Sequence, residues 1–147
     1  MSVRVEESIE IAAPADEVWD LVMDPHRHDE WVTAHREARG VPDGELREGD
    51  SYEQVLCLAG RRFDVEWTLV ESEEPRVAVW SAEGPKGSRA DVRYELSGEN
   101  GRTRFDYLNE FELPGGALGA VGKRFARGPA RRQTRKSLKL LKRALES

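Results

Sequence analysis

Sulfur chemistry is nearly missing from this chain. Its 147 residues hold one cysteine, Cys57, which excludes an internal disulfide and a cysteine-based zinc site. Long apolar runs are missing too: no stretch approaches the ~20 residues that a membrane-spanning helix requires. The opening Met1-Ser2-Val3-Arg4-Val5-Glu6-Glu7 lacks an apolar core and carries early acids, so it is not a secretory signal. Signatures of phosphate binding and hydrolysis are absent as well. Gly122-Lys123 has neither the spaced glycine before it nor the Ser/Thr after it that a phosphate loop uses. Residues 115–122 lack Gly-x-Gly-x-x-Gly spacing, and no serine sits in a Gly-x-Ser-x-Gly elbow. The expectation is one cytoplasmic domain over residues 1–147, with no cofactor and no metal.

Hydrophobic residues make up 38% and charged residues 35%. That is polar for a globular domain, but far from a disordered composition. The net charge of −5 hides an asymmetry: residues 1–122 carry a net of −14 and residues 123–147 a net of +9. A basic closing segment on an acidic body fits three roles: binding a polyanion, attracting an acidic partner, or forming a helix with one basic and one packed face. The last is favoured, because Ala130, Thr134, Leu138, Leu141 and Leu145 recur at spacings of 4, 4, 3 and 4, which is one helical face.

The rest of the chain divides cleanly. Val3, Val5, Ile9 and Ile11 share one parity, with Glu7 interrupting, as in a half-buried strand. Pro14 followed by Asp16 and Glu17 opens a helix, and Val18, Trp19, Leu21, Val22 and Met23 give it an apolar face before Asp24-Pro25 ends it. A second short helix is expected through His28–Trp31. From residue 36 to 113, turn signals such as Pro42-Asp43-Gly44, Gly84-Pro85-Lys86-Gly87 and Gly98-Glu99-Asn100-Gly101 separate about six alternating strands. Phe63, Val65, Trp67 and Leu69 share a parity, as do Ala90, Val92, Tyr94 and Leu96, and Phe105, Tyr107, Asn109, Phe111 and Leu113. Such alternation means antiparallel sheet with one dry face. Tyr52 and Trp80 lie on strands of ambiguous parity. Leu118, Val121 and Phe125 form a stripe out of phase with the later one, and Gly128-Pro129 lies between them, so a break or kink is expected there.

The dry face must be covered, and the closing helix is the only long element available. The fold expected is therefore α+β: a curved seven-stranded antiparallel sheet wrapped around a long C-terminal helix, with two short helices between strands 1 and 2. The space between sheet and helix suits an apolar or amphipathic small molecule. Its candidate ligand-binding residues are Trp67, Trp80, Tyr94, Phe105, Tyr107, Asn109, Phe111, Val121 and Phe125, with Tyr94, Tyr107 and Asn109 as the polar groups that would orient a ligand. The plainer account, in which those polar groups bond one another or backbone in a filled core, is of equal weight for each residue alone. Trp31 and the loops near 43–50, 72–76 and 97–102 are candidate gates.

Several patterns carry this arrangement further. Val5, Ser8, Ile9 and Ile11, then Ala13-Pro14-Ala15-Asp16-Glu17-Val18-Trp19-Asp20-Leu21-Val22 and Asp24, form a recognisable opening. Trp31, Glu48-Gly49-Asp50, Glu71-Ser72-Glu73-Glu74-Pro75, Leu113-Pro114-Gly115-Gly116 and the closing Ser137-Leu138-Lys139-Leu140-Leu141-Lys142-Arg143 follow it. Together they resemble the START-like (SRPBCC, helix-grip) superfamily, and within it the polyketide cyclase/dehydrase-type branch, over nearly the whole chain. The resemblance implies a ligand cavity and leaves its contents open, since such proteins include lipid carriers, polyketide aromatase/cyclases, quinone-binding proteins and hormone receptors. Gly128-Pro129 departs from the commonly unbroken terminal helix.

Three functions follow as candidates: binding a lipid, polyketide or isoprenoid-like molecule; polyketide cyclisation in the same cavity; and interaction through the basic helix. Cyclisation needs acid–base groups inside the pocket. Tyr94 and Tyr107 qualify, Arg62 is a conceivable inward cation, and no inward carboxylate or histidine stands out. His26-Arg27-His28-Asp29-Glu30 is the densest reactive cluster. Alternate histidines do not share a helix face and Arg27 repels a cation, so an exposed loop is favoured over metal binding, with one histidine at a cavity mouth as the remaining option. His35 follows Trp31 by four residues and is a second candidate for that mouth, though a solvated histidine is favoured. Cys57 is expected in core packing. Nucleic-acid binding through Arg127, Arg131, Arg135 and Lys139 is not expected, because no binding motif accompanies them. Oligomeric state is left open.

Overall fold

A computed structural model describes residues 2–58, 60–112 and 119–146, with side chains along the last helix from Arg127 onward. The elements are β1 (Ser2–Ile11), α1 (Ala15–Val22), a 3-10 helix (Pro25–Glu30), β2 (His35–Arg39), β3 (Ser51–Leu58), β4 (Arg61–Glu73), β5 (Val77–Glu83), β6 (Arg89–Glu99), β7 (Arg102–Glu112) and α2 (Gly119–Glu146). A further short 3-10 turn, Pro85–Gly87, joins β5 to β6. The seven strands form one antiparallel sheet in the order β1-β7-β6-β5-β4-β3-β2. Strands β2 to β7 are a meander, and β1 closes on β7. This is the expected α+β helix-grip arrangement, with both short helices between the first two strands.

The alternating patterns set the inner face. Val3, Val5 and Ile11 of β1, Val92, Tyr94 and Leu96 of β6, and Phe105 of β7 are buried on one parity. Tyr52 and Trp80 resolve onto the same core, 4% exposed each. A register shift in β4 between Leu69 and Glu71 leaves Val70 outside the ladder's alternation and 54% exposed, as a bulged residue would be. Asn100 and Gly101 take positive φ values of 54° and 74°, the pair of left-handed residues that turns a tight hairpin. Gly98 lies where a β-carbon would come 3.1 Å from Ala15 Cβ, so its lack of a side chain lets α1 start close against β6. The adjoining segment is tied by the buried Thr103 hydroxyl, which donates to the Ala13 carbonyl at 2.7 Å.

Helix α2 runs through Pro129 without a break, so of the break or kink expected at Gly128-Pro129 the break does not occur. Proline costs an interior turn ~3 kcal/mol, through a lost N–H and a clash with the preceding turn. Leu138 and Leu141, 3% and 0% exposed, together return about 3–6 kcal/mol by burial, enough to hold the later turns in place whatever happens at Pro129. The later apolar stripe packs as expected, with Ala130, Thr134 and Leu145 half-buried beside those leucines. No described helix is long and apolar enough to cross a membrane.

The second short helix is a 3-10 helix that takes in the His26–Glu30 cluster, capped by the Asp24 carboxylate accepting from the His26 N–H at 3.0 Å, and the exposure expected of that cluster fails at His28. His26 faces solvent, while His28 is 5% exposed. A ring N–H of His28 donates to the Val22 carbonyl, yet burial dominates and lowers its pKa to about 4, from an ordinary 6.5.

Two outcomes test this packing. Pro129→Ala should raise stability by ~1–3 kcal/mol in urea denaturation; an unchanged midpoint would show that the helix does not pass through residue 129. Because the folded state depresses the His28 pKa, its contribution is complete above pH 6.5 and is lost as pH falls toward 4. Unfolding at pH 5 against pH 7.5 should show a loss on the order of 2 kcal/mol, with a flatter pH slope in His28→Leu.

Candidate functional site

The inner face of the sheet carries a continuous chain of rings. Trp67 meets Trp80 with centroids 6.5 Å apart, and Trp80 meets Tyr52 at 5.9 Å. Tyr52 meets His28 at 6.3 Å, and His28 meets Trp31 at 6.0 Å. Trp31 then packs edge-on against Tyr94 at 6.2 Å and Phe105 at 6.3 Å, and Tyr94 stacks on Tyr107 at 5.9 Å. Most of these contacts are T-shaped, the arrangement aromatic quadrupoles favour. The imidazole of His28 joins two groups of aromatics that the sheet alone leaves separate.

Of the expected ligand residues, Trp80, Tyr94 and Phe105 are buried in the core, with Trp67 and Tyr107 half-buried against it. Asn109 and Phe111 are half-buried further along β7, and Phe111 lies outside the contiguous cluster. The side chains of Val121 and Phe125 lie outside the described residues.

The tyrosines of the aromatic face are un-ionised. Burial raises the pKa of Tyr52 and Tyr94 far above its ordinary 10, helped at Tyr94 by Tyr107 and Tyr52. Burial also raises Tyr107 to about 12, with a hydrogen bond from Asn109 drawing it partly back. All three are hydroxyl donors at neutral pH and not bases. Trp31 Nε1, Trp80 Nε1 and Asn109 Oδ1 are buried with no hydrogen-bond partner among the described residues. Buried polar atoms are rarely left so, because each costs about 1–3 kcal/mol unless water or a ligand satisfies it.

One end of the ring chain is wired by a polar network that sequence reasoning missed. Trp67 Nε1 donates to Gln54 Oε1 at 2.7 Å. Indole nitrogen can only donate, so the amide nitrogen of Gln54 must point the other way, toward His35 Nδ1 at 2.9 Å and His28 Nδ1 at 3.4 Å. Both imidazoles therefore accept at Nδ1 and are neutral. His35 is half-buried, with its pKa lowered chiefly by burial. The signal that was available is the shared parity of Tyr52 and Gln54 on β3.

A carboxylate also faces inward. Glu7, the residue that interrupts β1, has a side chain 15% exposed and takes Arg135 Nε at 2.9 Å and Arg131 Nε at 3.4 Å from α2. Arg62 is not the expected inward cation: it is exposed on the wet side of β4, 3.9 Å from Asp64. Cys57 is only half-buried, on the β3 parity opposite Tyr52. Trp31 is 2% exposed, a core residue and not a gate. The 43–50 loop is fastened, with the Gly49 N–H donating to the Leu69 carbonyl at 2.7 Å and the Ser72 N–H donating to Glu48 Oε1 at 3.0 Å. Most of residues 97–102 belong to the tight β6–β7 hairpin. An open groove of about 500 Å³ lies outside the sheet over β1, β7 and β6, but its charges pair among themselves, as in Arg93–Glu95 at 2.7 Å and Arg104–Asp106 at 3.0 Å. No group of three or more metal-ligating acids, histidines or cysteines occurs among the described residues.

A START superfamily protein from Mycobacterium smegmatis superimposes with a TM-score of 0.77 at 14% identity, covering 97% of this chain and 98% of that one. The Zhui aromatase/cyclase from Streptomyces sp. R1128 gives 0.72 at 17% identity, covering 99% and 94%. These identities establish the fold alone. A protein named toxin Rv0910 from Mycobacterium tuberculosis is 26% identical over 85 residues, a match that spans 58% of this chain and 59% of that protein's length. The family model for polyketide cyclase/dehydrase and lipid transport proteins matches residues 2–146. The chain belongs to that family, on a START-like fold of the kind that binds hydrophobic ligands.

Proposed function

We propose that this protein binds an amphipathic small molecule, of lipid, polyketide or isoprenoid type, between the inner face of the sheet and α2. The carrying observation is the placement of Trp31 Nε1, Trp80 Nε1 and Asn109 Oδ1, buried on an aromatic face without protein partners among the described residues. Two donors and one acceptor among rings call for a ligand with an oxygen acceptor, a polar hydrogen and a large apolar body. Apolar area supplies the affinity, and the polar atoms supply the orientation. Binding by Phe111, Val121 and Phe125 is part of the same proposal.

The cyclase reading has less support. Tyr52, Tyr94 and Tyr107 are held protonated, and Glu7 is engaged by two arginines. These groups donate hydrogen bonds or hold α2 in place; none is a free base. The interaction reading keeps one observation of its own. Arg132, Lys136, Lys139 and Arg143 follow helical spacing on the side of α2 opposite Leu141, exposed and without an acidic partner among the described residues. Arg131 and Arg135, by contrast, serve the fold through Glu7.

Native mass spectrometry with organic extraction of protein from its source organism should reveal a discrete bound apolar molecule. A ligand-free protein with no melting shift across fatty acids, isoprenoids and aromatic polyketides would end the proposal. Asn109→Leu should weaken retention of the extracted molecule by roughly tenfold, the effect of one lost polar contact. If no ligand faces Asn109 Oδ1, the same substitution should leave retention unchanged. Reversing Arg132, Lys136, Lys139 and Arg143 to Glu should leave ligand retention intact, while loss of cellular function in that variant would support the interaction reading.

A further inference from the structure

In the chain Trp67–Gln54–His35/His28, every donor and acceptor that faces another member is committed. Trp67 Nε1 donates to Gln54 Oε1 at 2.7 Å, and the two hydrogens of Gln54 Nε2 serve His35 Nδ1 at 2.9 Å and His28 Nδ1 at 3.4 Å. His28 spends its other ring nitrogen on the Val22 carbonyl. No member can change protonation without a neighbour losing its partner. We propose that this network is a proton-operated latch on the aromatic wall, closed while both imidazoles are neutral and released when His35 takes a proton. The latch regulates the site proposed above and rests on that reading for its purpose, though not for its mechanism.

Access decides the order of events. His35 opens β2 and is half-buried, whereas His28 is enclosed, so solvent protons reach His35 first. A proton on His35 Nδ1 converts the acceptor there to a donor, facing the donor Nε2 of Gln54. The amide relieves this by turning over, which presents Oε1 to His35 and Nε2 to Trp67. Trp67 then faces a donor with a donor, and His28 Nδ1 loses its bond. One proton taken from solvent thus releases the indole at one end of the ring chain and loosens the imidazole at its centre. Among the described residues, the charges bearing on the two rings are Asp24 and Asp29, which favour protonation, and Arg36, which opposes it; His28 and His35 also oppose one another. Tyr52, the neighbouring ring on β3, stays neutral throughout.

The test needs no ligand. The indole N–H resonances of the four tryptophans are followed by ¹H–¹⁵N NMR from pH 8 to 4.5, with Trp67 assigned by its loss in Trp67→Phe, beside the ring protons of His35. The expected result is a Trp67 indole shift whose midpoint coincides with that of His35 and which disappears in His35→Gln. A Trp67 resonance that stays flat while His35 titrates would mean that the imidazole leaves Gln54 behind, and would overturn the latch. So would an unchanged shift in His35→Gln. A working latch in a protein that yields no bound molecule would sink the pocket and leave the latch standing, so the two failures are distinct.

Discussion

A sheet with one dry face and a single long helix to cover it sets the terms for everything else. Hydrophobic contact presses α2 onto that face but does not fix where along it the helix lies. Polar bonds to β1 and to the segment after the 3-10 helix do. Glu7 holds Arg131 and Arg135. The Glu10 carbonyl accepts from Lys142 Nζ at 2.8 Å, and Glu146 accepts from the Ala12 N–H at 2.8 Å. On the other side, Ser137 Oγ accepts from the Thr33 N–H at 3.1 Å. Exposed ion pairs are individually weak, so their joint effect here is register more than stability. Three of the ten basic residues of the closing segment, Arg131, Arg135 and Lys142, are thereby explained from within the fold.

The aromatic wall depends on a second device. Rings on different strands have no reason to form one continuous surface unless something fills the gaps between them. His28 does so between Tyr52 and Trp31, and it is suited to the place only while neutral. Its Val22 and Gln54 bonds satisfy a neutral imidazole at both nitrogens, so the desolvation that would punish a charge costs little. Phenylalanine would fill the same gap but leave Gln54 with an unmatched hydrogen, and Gln54 in turn is what gives Trp67 an acceptor. The wall is therefore built through uncharged hydrogen bonds as much as through stacking.

The fold was legible because its signals are periodic. The parities of β1, β4 and β6 and the 4, 4, 3, 4 spacing of α2 each survive as burial, whereas β7 alternates only as far as Phe105 and is half-buried on both parities beyond it. Where periodicity is short or interrupted, reading failed. β5 has seven residues and β4 carries a bulge beside Trp80's partner, Leu69, so parity counting could not place Trp80. The break or kink expected at Gly128-Pro129 rested on local propensity, and the helix continues through those residues without a break. The cluster left one histidine as a candidate for a cavity mouth without marking which: among His26, Arg27, Asp29 and Glu30, His28 looks solvated, and only the tight turn after Pro25 rotates it inward while leaving its neighbours outside. Gln54 was visible in principle, since it shares a parity with Tyr52, but a lone amide on a strand has no chemistry until its partners from β2 and β4 are known.

The same chemistry separates a binding site from a catalytic one. Catalysis by proton transfer requires a group whose pKa lies near the working pH and which faces the reactant. In the described interior, burial displaces the tyrosines and His28 from that condition: the tyrosines are held too high and His28 too low. Glu7 is engaged by two arginines, and His35 turns its Nδ1 toward Gln54. What remains free is a set of fixed, uncharged donors and an acceptor among rings. Such groups orient a molecule without giving it or taking from it a proton. Among the described residues, His35 is an internal ionisable group within reach of solvent protons, and it is wired to the aromatic wall through Gln54.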